Sequence, residues 1–220
     1  MVRALRSSFE HYGTDPKKNN TVPGQFSEWF DGESLVNKGM RLSPWAAPRF
    51  LWAAIEGMCG LMLTPEIPRI NPIIPLQWSW VAIRRLRYHN TSLSYFAVRQ
   101  GDGRMIIYST APIASDYDVA IFDRDSSDEV RVFSDDAAVI VFVAENRVVL
   151  FIGNTKLHTI AVPVDLQRVV DTSKFYILRM YNSERHDWEH SLQREPGKLG
   201  TLAFSIEASG YRLIEFAAKA

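Results

Sequence analysis

Glu28, Trp29, Phe30 and Asp31 stand side by side in the stretch GQFSEWFDGES, residues 24–34. A carboxylate between aromatic rings suits sugar chemistry. The rings offer flat apolar platforms, and the carboxylate can take the proton of an attacking water. Cleaving a glycosidic bond with inversion needs two carboxyl groups, one protonating the leaving oxygen and one activating water on the opposite face. The two stand roughly 6.5–9.5 Å apart. Glu28 fits the base. Asp31 and Glu33 follow too closely in the same loop to be its acid, and they read as solvated loop charges or a helix-start carboxylate. The competing reading of Glu28 itself is a surface glutamate whose aromatic neighbours pack under the loop.

Two other groupings are weaker. Trp45, Arg49, Trp52 and Glu56 recur at helical steps, so they share one face. Such a stripe can face a sugar cleft or a partner helix, but the structural reading, a buried Arg49–Glu56 ion pair, is favoured. His186 and His190 have the spacing that aligns two imidazoles for a metal on a helix. Strand-like patterns surround them and no third ligand has a defined spacing, so the reading is a hydrated loop. Serines and histidines are too scattered for a triad, and no glycine-rich phosphate loop follows a strand. No metal or other cofactor is expected.

The element that must carry Trp45 is a helix. Ser43 is placed to cap it and Pro44 to occupy the first helical position, where no N–H is needed. From Trp45 to Leu63 the only charges are Arg49 and Glu56. Phe50, Leu51, Ala54, Ile55, Met58, Leu61 and Met62 make the remaining faces apolar nearly all round, as in a helix buried inside a larger body. It is too short, with two charges and two glycines, for a good membrane span.

The order GQFSEWFDG … G … LSPW … PRFLWAAIEG, over residues 24–63, resembles the end of the catalytic barrel in the (α/α)6 glycosidases. These are the glycogen-debranching, oligosaccharide-glucosidase and glucoamylase-like enzymes. The resemblance implies Glu28 as the catalytic base, with Trp29, Phe30 and Trp45 as substrate-binding aromatics. It also implies that residues 1–63 correspond to the last barrel helices, with the general acid on barrel segments outside this sequence. INPIIPLQWSWVAIRRLRYHNTSLSYFAV, residues 70–98, is similar to the passage from the last barrel helix into a small antiparallel sheet in such enzymes. VVLFIGN … VPVDL … FYILRMYN … GTLAFSIEASGYRLIEF looks like their C-terminal β-domain.

The rest of the chain reads mostly as strands. Val2–Tyr12 has a helical stripe closed by Gly13, and GTDPKKNNTVPG is a polar loop. Residues 80–88 and 92–98 are strands around His89–Thr91, and the Gly101–Gly103 turn leads into residues 105–108. From Tyr117 onward eight strand patterns follow. Several are continuous apolar runs, as in a sandwich covered on both sides. The expected fold is α+β and mainly β: a short helical N-terminal segment, then antiparallel sheets ending in a β-sandwich. Expected domains are 1–63, 64–115 and 116–220.

Composition narrows the function. The 25 basic and 25 acidic residues balance, leaving no overall field to draw nucleic acid or a membrane surface. Five of the six tryptophans lie between Trp29 and Trp80. The single cysteine, Cys59, forbids an internal disulfide, and the first residues have no hydrophobic signal region, so a cytoplasmic location is expected. The expected function is a C-terminal fragment or subunit of an inverting glycoside hydrolase, with oligosaccharide or α-glucan as substrate and no activity alone. Expected partners are the remaining barrel portion or a second copy docking through Pro44–Leu63. The alternative is a non-catalytic β-sandwich module for glycan binding or partner support.

Overall fold

A computed structural model describes residues 28–29, 31, 33–34, 36–41, 43–171, 173–194 and 201–218. The expected Val2–Tyr12 helix and Phe30 lie outside these residues. Among the described residues helix is brief: α1, Ala46–Trp52, continues directly into one π-helical stretch, Ala53–Met58. The strands are β1 Leu61–Met62, β2 Arg69–Ile70, β3 Trp80–Tyr88, β4 Thr91–Arg99, β5 Met105–Ser109, β6 Asp118–Ile121, β7 Arg124–Asp125 and β8 Arg131–Val132. They continue as β9 Ala137–Ala144, β10 Arg147–Asn154, β11 Ile160–Asp165, β12 Tyr176–Asn182, β13 Asp187–Arg194, β14 Thr201–Ile206 and β15 Tyr211–Ala218. The fold is α+β and mainly β. It divides into two compact units, residues 1–62 with 70–75, and residues 63–69 with 76–220.

In the first unit the helix differs from expectation. Pro44 and Trp45 are spent in a turn, so the cap position falls to Trp45 and no side chain caps the helix. Ser43 sits too far back to reach the free N–H groups, and among the described residues its buried hydroxyl has no partner. At the other end the Cys59 N–H reaches the Ala54 carbonyl at 2.9 Å, a π-type bond. Gly60 then turns left-handed at φ +66° and stops the helix short of Leu63. A Cβ on Gly60 would fall 1.9 Å from the Asn71 carbonyl oxygen, so the returning chain 70–75 fits only against glycine. The Gly60 and Met58 carbonyls accept from the N–H groups of Asn71 (2.9 Å) and Ile73 (3.0 Å).

The expected burial of this helix is also corrected. No residue of α1 is buried, and Leu51 and Trp52 are 54% and 61% exposed. Apolar composition alone does not bury a helix. It needs neighbours on every face, and among the described residues of this unit the buried apolar side chains are Met58, Cys59 and Leu61, with Ile70, Pro72 and Ile74 from the returning segment.

The second unit is built on one central sheet, strand order β13-β12-β15-β10-β9-β7, antiparallel throughout. β10 reads RVVLFIGN, seven of its eight residues are buried, and alternate side chains serve opposite faces. Val148, Leu150 and Ile152 join a core with Ile160, Val162 and Val164 of β11, where the sheet β14-β11-β8 covers them. Val149 and Phe151 join a second core with Phe96 and Val98 of β4 and Tyr108 of β5, beneath the sheet β3-β4-β5-β6. The result is three β layers with a core in each gap. In the outer four-stranded sheet the β5–β6 pair is parallel, and an isolated bridge between Arg69 and Ala114 is parallel too.

The second core is aromatic. Phe96 stacks on Tyr108 at 4.7 Å and on Phe151 at 4.9 Å, and Tyr181 stacks on Tyr211 at 5.7 Å. Its buried phenols are all hydrogen-bonded: Tyr108 donates to Glu215 (2.8 Å), Tyr211 donates to the Arg99 carbonyl (2.9 Å), and Tyr181 accepts from the Gly101 N–H (2.6 Å). Two charged pairs close the edges of the unit. Arg84 grips Asp125 at 2.9 and 3.2 Å, and Arg212 grips Glu184 with two bonds of 2.9 Å.

Candidate functional site

Glu28 lies on the first arm of a short hairpin, and the returning arm is Val36–Met40. The Glu28 N–H donates to the Met40 carbonyl (3.2 Å), and the Asp31 N–H to that of Val36 (2.9 Å). The Trp29 carbonyl accepts from the N–H groups of Lys38 (3.2 Å) and Gly39 (3.4 Å). Asp31 forms the turn. Its Oδ1 accepts from the Glu33 N–H (3.2 Å), the Ser34 N–H (2.9 Å) and the Ser34 hydroxyl (2.8 Å), the side-chain–backbone pattern that asparagine and aspartate favour in turns. The buried Asn37 supports the return by accepting from the Gly39 N–H at 3.0 Å.

The hairpin aims and steadies the carboxylate. Met40 donates its N–H to Oε2 of Glu28 at 3.0 Å. A carboxylate has about four lone-pair positions, so one such bond leaves ample capacity to accept from a water. Glu28 is exposed, as a base that must meet a substrate requires. Trp29 follows it, half its surface open. Gly39 decides where that ring lies: a Cβ there would come within 2.5 Å of Trp29 Cδ1 and 2.8 Å of Glu28 Cβ. Only a glycine lets the indole lie across the returning arm.

Asp31 is unsuited to be the complementary acid. The Ser34 N–H and hydroxyl, with the Glu33 N–H, hold its carboxyl below the usual range, so it favours the ionised form and not the protonated one an acid needs. Trp45 stands 41% exposed at the head of α1, its carbonyl accepting from the Arg49 N–H at 3.1 Å. Among the described residues no ring contact or hydrogen bond joins Trp45 to Glu28 or Trp29. Arg49 and Glu56 are both exposed, which corrects the expected buried ion pair; the helical turn joining them has no cover to bury it.

The hairpin's anchoring groups, the Met40 N–H and the space above Gly39, were not assigned from sequence. The glycine was visible in the motif, but its partner ring was not. His186 lies in the turn before β13 with its Cβ against Gly101, where an added Cβ would meet it at 2.1 Å. It is a packing residue of a turn. Among the described residues no three metal-ligating side chains cluster, and no helix is long and apolar enough to cross a membrane.

No family model matches the chain, and no curated protein matches it. Parts of it are similar to solved glycoside hydrolases. Alpha-galactosidase I from Mortierella vinacea matches at 14% identity and TM-score 0.28, over 40% of this chain and 23% of the enzyme. A Paenibacillus polymyxa xyloglucanase of family 44 matches at 9% and 0.29, over 38% and 17%. A Clostridium papyrosolvens GH30 endoxylanase matches at 12% and 0.29, over 40% and 21%. The chain thus spans about a fifth of each enzyme's length.

Proposed function

We propose that the chain is the C-terminal part of an inverting glycoside hydrolase acting on an α-glucan or another oligosaccharide, with Glu28 as the catalytic base. Trp29, Phe30 and Trp45 are the aromatic residues that hold the sugar. The observation that carries this reading is the Glu28 carboxylate itself, exposed, fixed through one oxygen by the Met40 N–H, and followed by a half-open indole. Supporting it is the motif that places a glutamate, a glycine and Pro-Trp in this order before a helix. The general acid belongs to a barrel polypeptide that completes the site, and the exposed face of α1 is where that polypeptide or a second copy would sit.

In this mechanism Glu28 takes a proton from the water that attacks the anomeric carbon, while the acid protonates the departing oxygen from the other face. The test pairs the chain with an (α/α)6 barrel polypeptide bearing an acid. The chain alone is expected not to hydrolyse maltooligosaccharides, isomaltose or aryl glucosides above background. The pair is expected to turn over with inversion, and Glu28→Gln to lower its kcat by about 10²–10⁴-fold. Turnover by the pair that survives Glu28→Gln would overturn the assignment. Turnover by the chain alone, lost in Glu28→Gln, would show that the acid is already in this chain.

A further inference from the structure

The second unit contains a groove of about 380 Å³ at the start of β3, within the size range of small-ligand sites. Its lining includes Trp78, Ser79, Trp80, Asn154, Thr155 and Ser209, and among the described residues no ionisable side chain lines it. We propose that this groove binds a neutral saccharide, one or two pyranose rings laid against the two indoles. The site belongs wholly to the β-layered unit, and its argument does not use Glu28; only the ligand class coincides with the function proposed above.

The geometry is that of a rigid platform. Trp80 is held in place by β10. Its ring meets Phe151 edge-on at 5.2 Å, and Gly153 lies directly against it, so that an added Cβ would fall 2.7 Å from the indole. Trp78 is 42% exposed, and its backbone is held by Arg99, whose guanidinium donates to the Trp78 carbonyl at 3.1 Å. The loop carrying Ser209 adopts φ +59° there and is tied down by Ser79, whose hydroxyl donates to the Ser209 carbonyl at 3.1 Å. Asn154 fixes the far wall, donating to the carbonyls of His158 and Glu207 at 2.8 Å each and accepting from the Lys156 N–H at 2.7 Å.

The chemistry selects the ligand. Two indole faces favour a ligand with a flat apolar face, and the described lining offers no charged side chain to anchor a phosphate, carboxylate or amine. The polar capacity left over is mixed. Among the described residues neither indole N–H has an acceptor in the protein. Ser79 and Thr155 use their hydroxyl protons internally, Thr155 on the Asp136 carbonyl at 2.9 Å, and keep lone pairs to accept. Donors and acceptors beside apolar faces match a sugar, whose hydroxyls do both and whose C–H face stacks on tryptophan. An apolar peptide would use the rings and leave these polar groups unmatched.

The test is calorimetric and fluorescence titration of the full chain with maltoheptaose, xylohexaose and galactomannan oligosaccharides. At least one is expected to bind saturably and to change the tryptophan emission. Trp78→Ala is expected to weaken that binding at least about tenfold, the loss typical of a central aromatic anchor. Thr155→Arg, which fills the groove from an exposed position, should abolish it and serves as the second variant if Trp78→Ala does not fold. Glu28→Gln should leave it unchanged, so a failure of the catalytic assignment does not touch this one. No binding at millimolar sugar, binding indifferent to both groove variants, or a response to an apolar peptide alone would each overturn the proposal.

Discussion

Met40 and Glu28 exchange two hydrogen bonds: the Met40 N–H donates to Oε2 of Glu28 at 3.0 Å, and the Glu28 N–H donates to the Met40 carbonyl at 3.2 Å. The side chain and backbone of one residue thus grip the backbone of the other. The carboxylate is oriented by the hairpin that presents it.

Gly39 sits beside Met40, and its lack of a side chain sets that orientation. In Gly39→Ala the new methyl would lie 2.5 Å from the Trp29 ring, so the indole must swing away and drag the Glu28–Met40 contact with it. The expected outcome is displaced resonances for the Trp29 indole N–H and the Met40 amide, with those of β9, β10 and β15 unmoved. Unmoved Trp29 and Met40 signals would count against the packing described.

The open face of α1 predicts association. Leu51 and Trp52 expose more than half their surface side by side, and apolar patches of this kind mark contact sites. Light scattering at micromolar concentration should find the intact chain larger than a monomer, and the Leu51→Glu, Trp52→Glu double variant monomeric. Met58 is unsuitable for such a test because it is buried, at 6% exposure. A monodisperse intact monomer would argue against this surface as an interface.

Neighbouring residues of β10 belong to different cores. Ile152→Val should cost about 0.5–1.5 kcal/mol in the first core and Phe151→Ala about 3–5 kcal/mol in the second. Although adjacent in sequence, their side chains share no core, so the double variant in urea should equal the sum within about 0.5 kcal/mol. A coupling well above that would mean the layers are not independent.

Acid should loosen the second unit in a defined window. Burial pushes the Asp125 carboxyl up, but bonds from Arg84, Ser127 and Ser94 outweigh it and hold the carboxyl below its ordinary 3.8. Glu184 is likewise pushed up by burial and brought below its ordinary 4.5 by Arg212 and the Glu207 N–H. A lowered folded value means the stabilisation is complete above the ordinary value and is lost as pH falls through the folded one. Thermal midpoints should therefore hold level from neutral pH to about 5 and drop below it. Asp125→Asn and Glu184→Gln should lower the neutral plateau and flatten the acid limb.

Much of the sheet was legible because burial on both faces leaves a local mark. VVLFIG in β10 and YRLIEFA in β15 contain runs that only a covered strand tolerates. Their assignment to one central sheet was not legible, since β10 pairs with β15 across some sixty residues and nothing local encodes that register. The parallel β5–β6 edge was hidden for the same reason. At the candidate site, Glu28 and its aromatic neighbour could be singled out from residue type. The hairpin that steadies Glu28 depends on Asp31 closing a turn and on Gly39 making room, and those are facts of packing. The Ser43 cap was misread because the cap must directly precede the helix, and the Pro44–Trp45 turn intervenes.

The place of β15 has a consequence for how the protein is made. It lies between β10 and β12, both of which precede it in the chain. Until β15 has been made and released, those two strands each have an unfilled edge of N–H and C=O groups, with a gap one strand wide between them. The central layer closes only when the missing strand slides in. Until then the nascent polypeptide carries a template open to any passing strand, which makes this interval the protein's greatest exposure to aggregation. Released chains truncated after residue 209 should be cut readily by protease in β10 and β12, and chains that include residue 218 should resist.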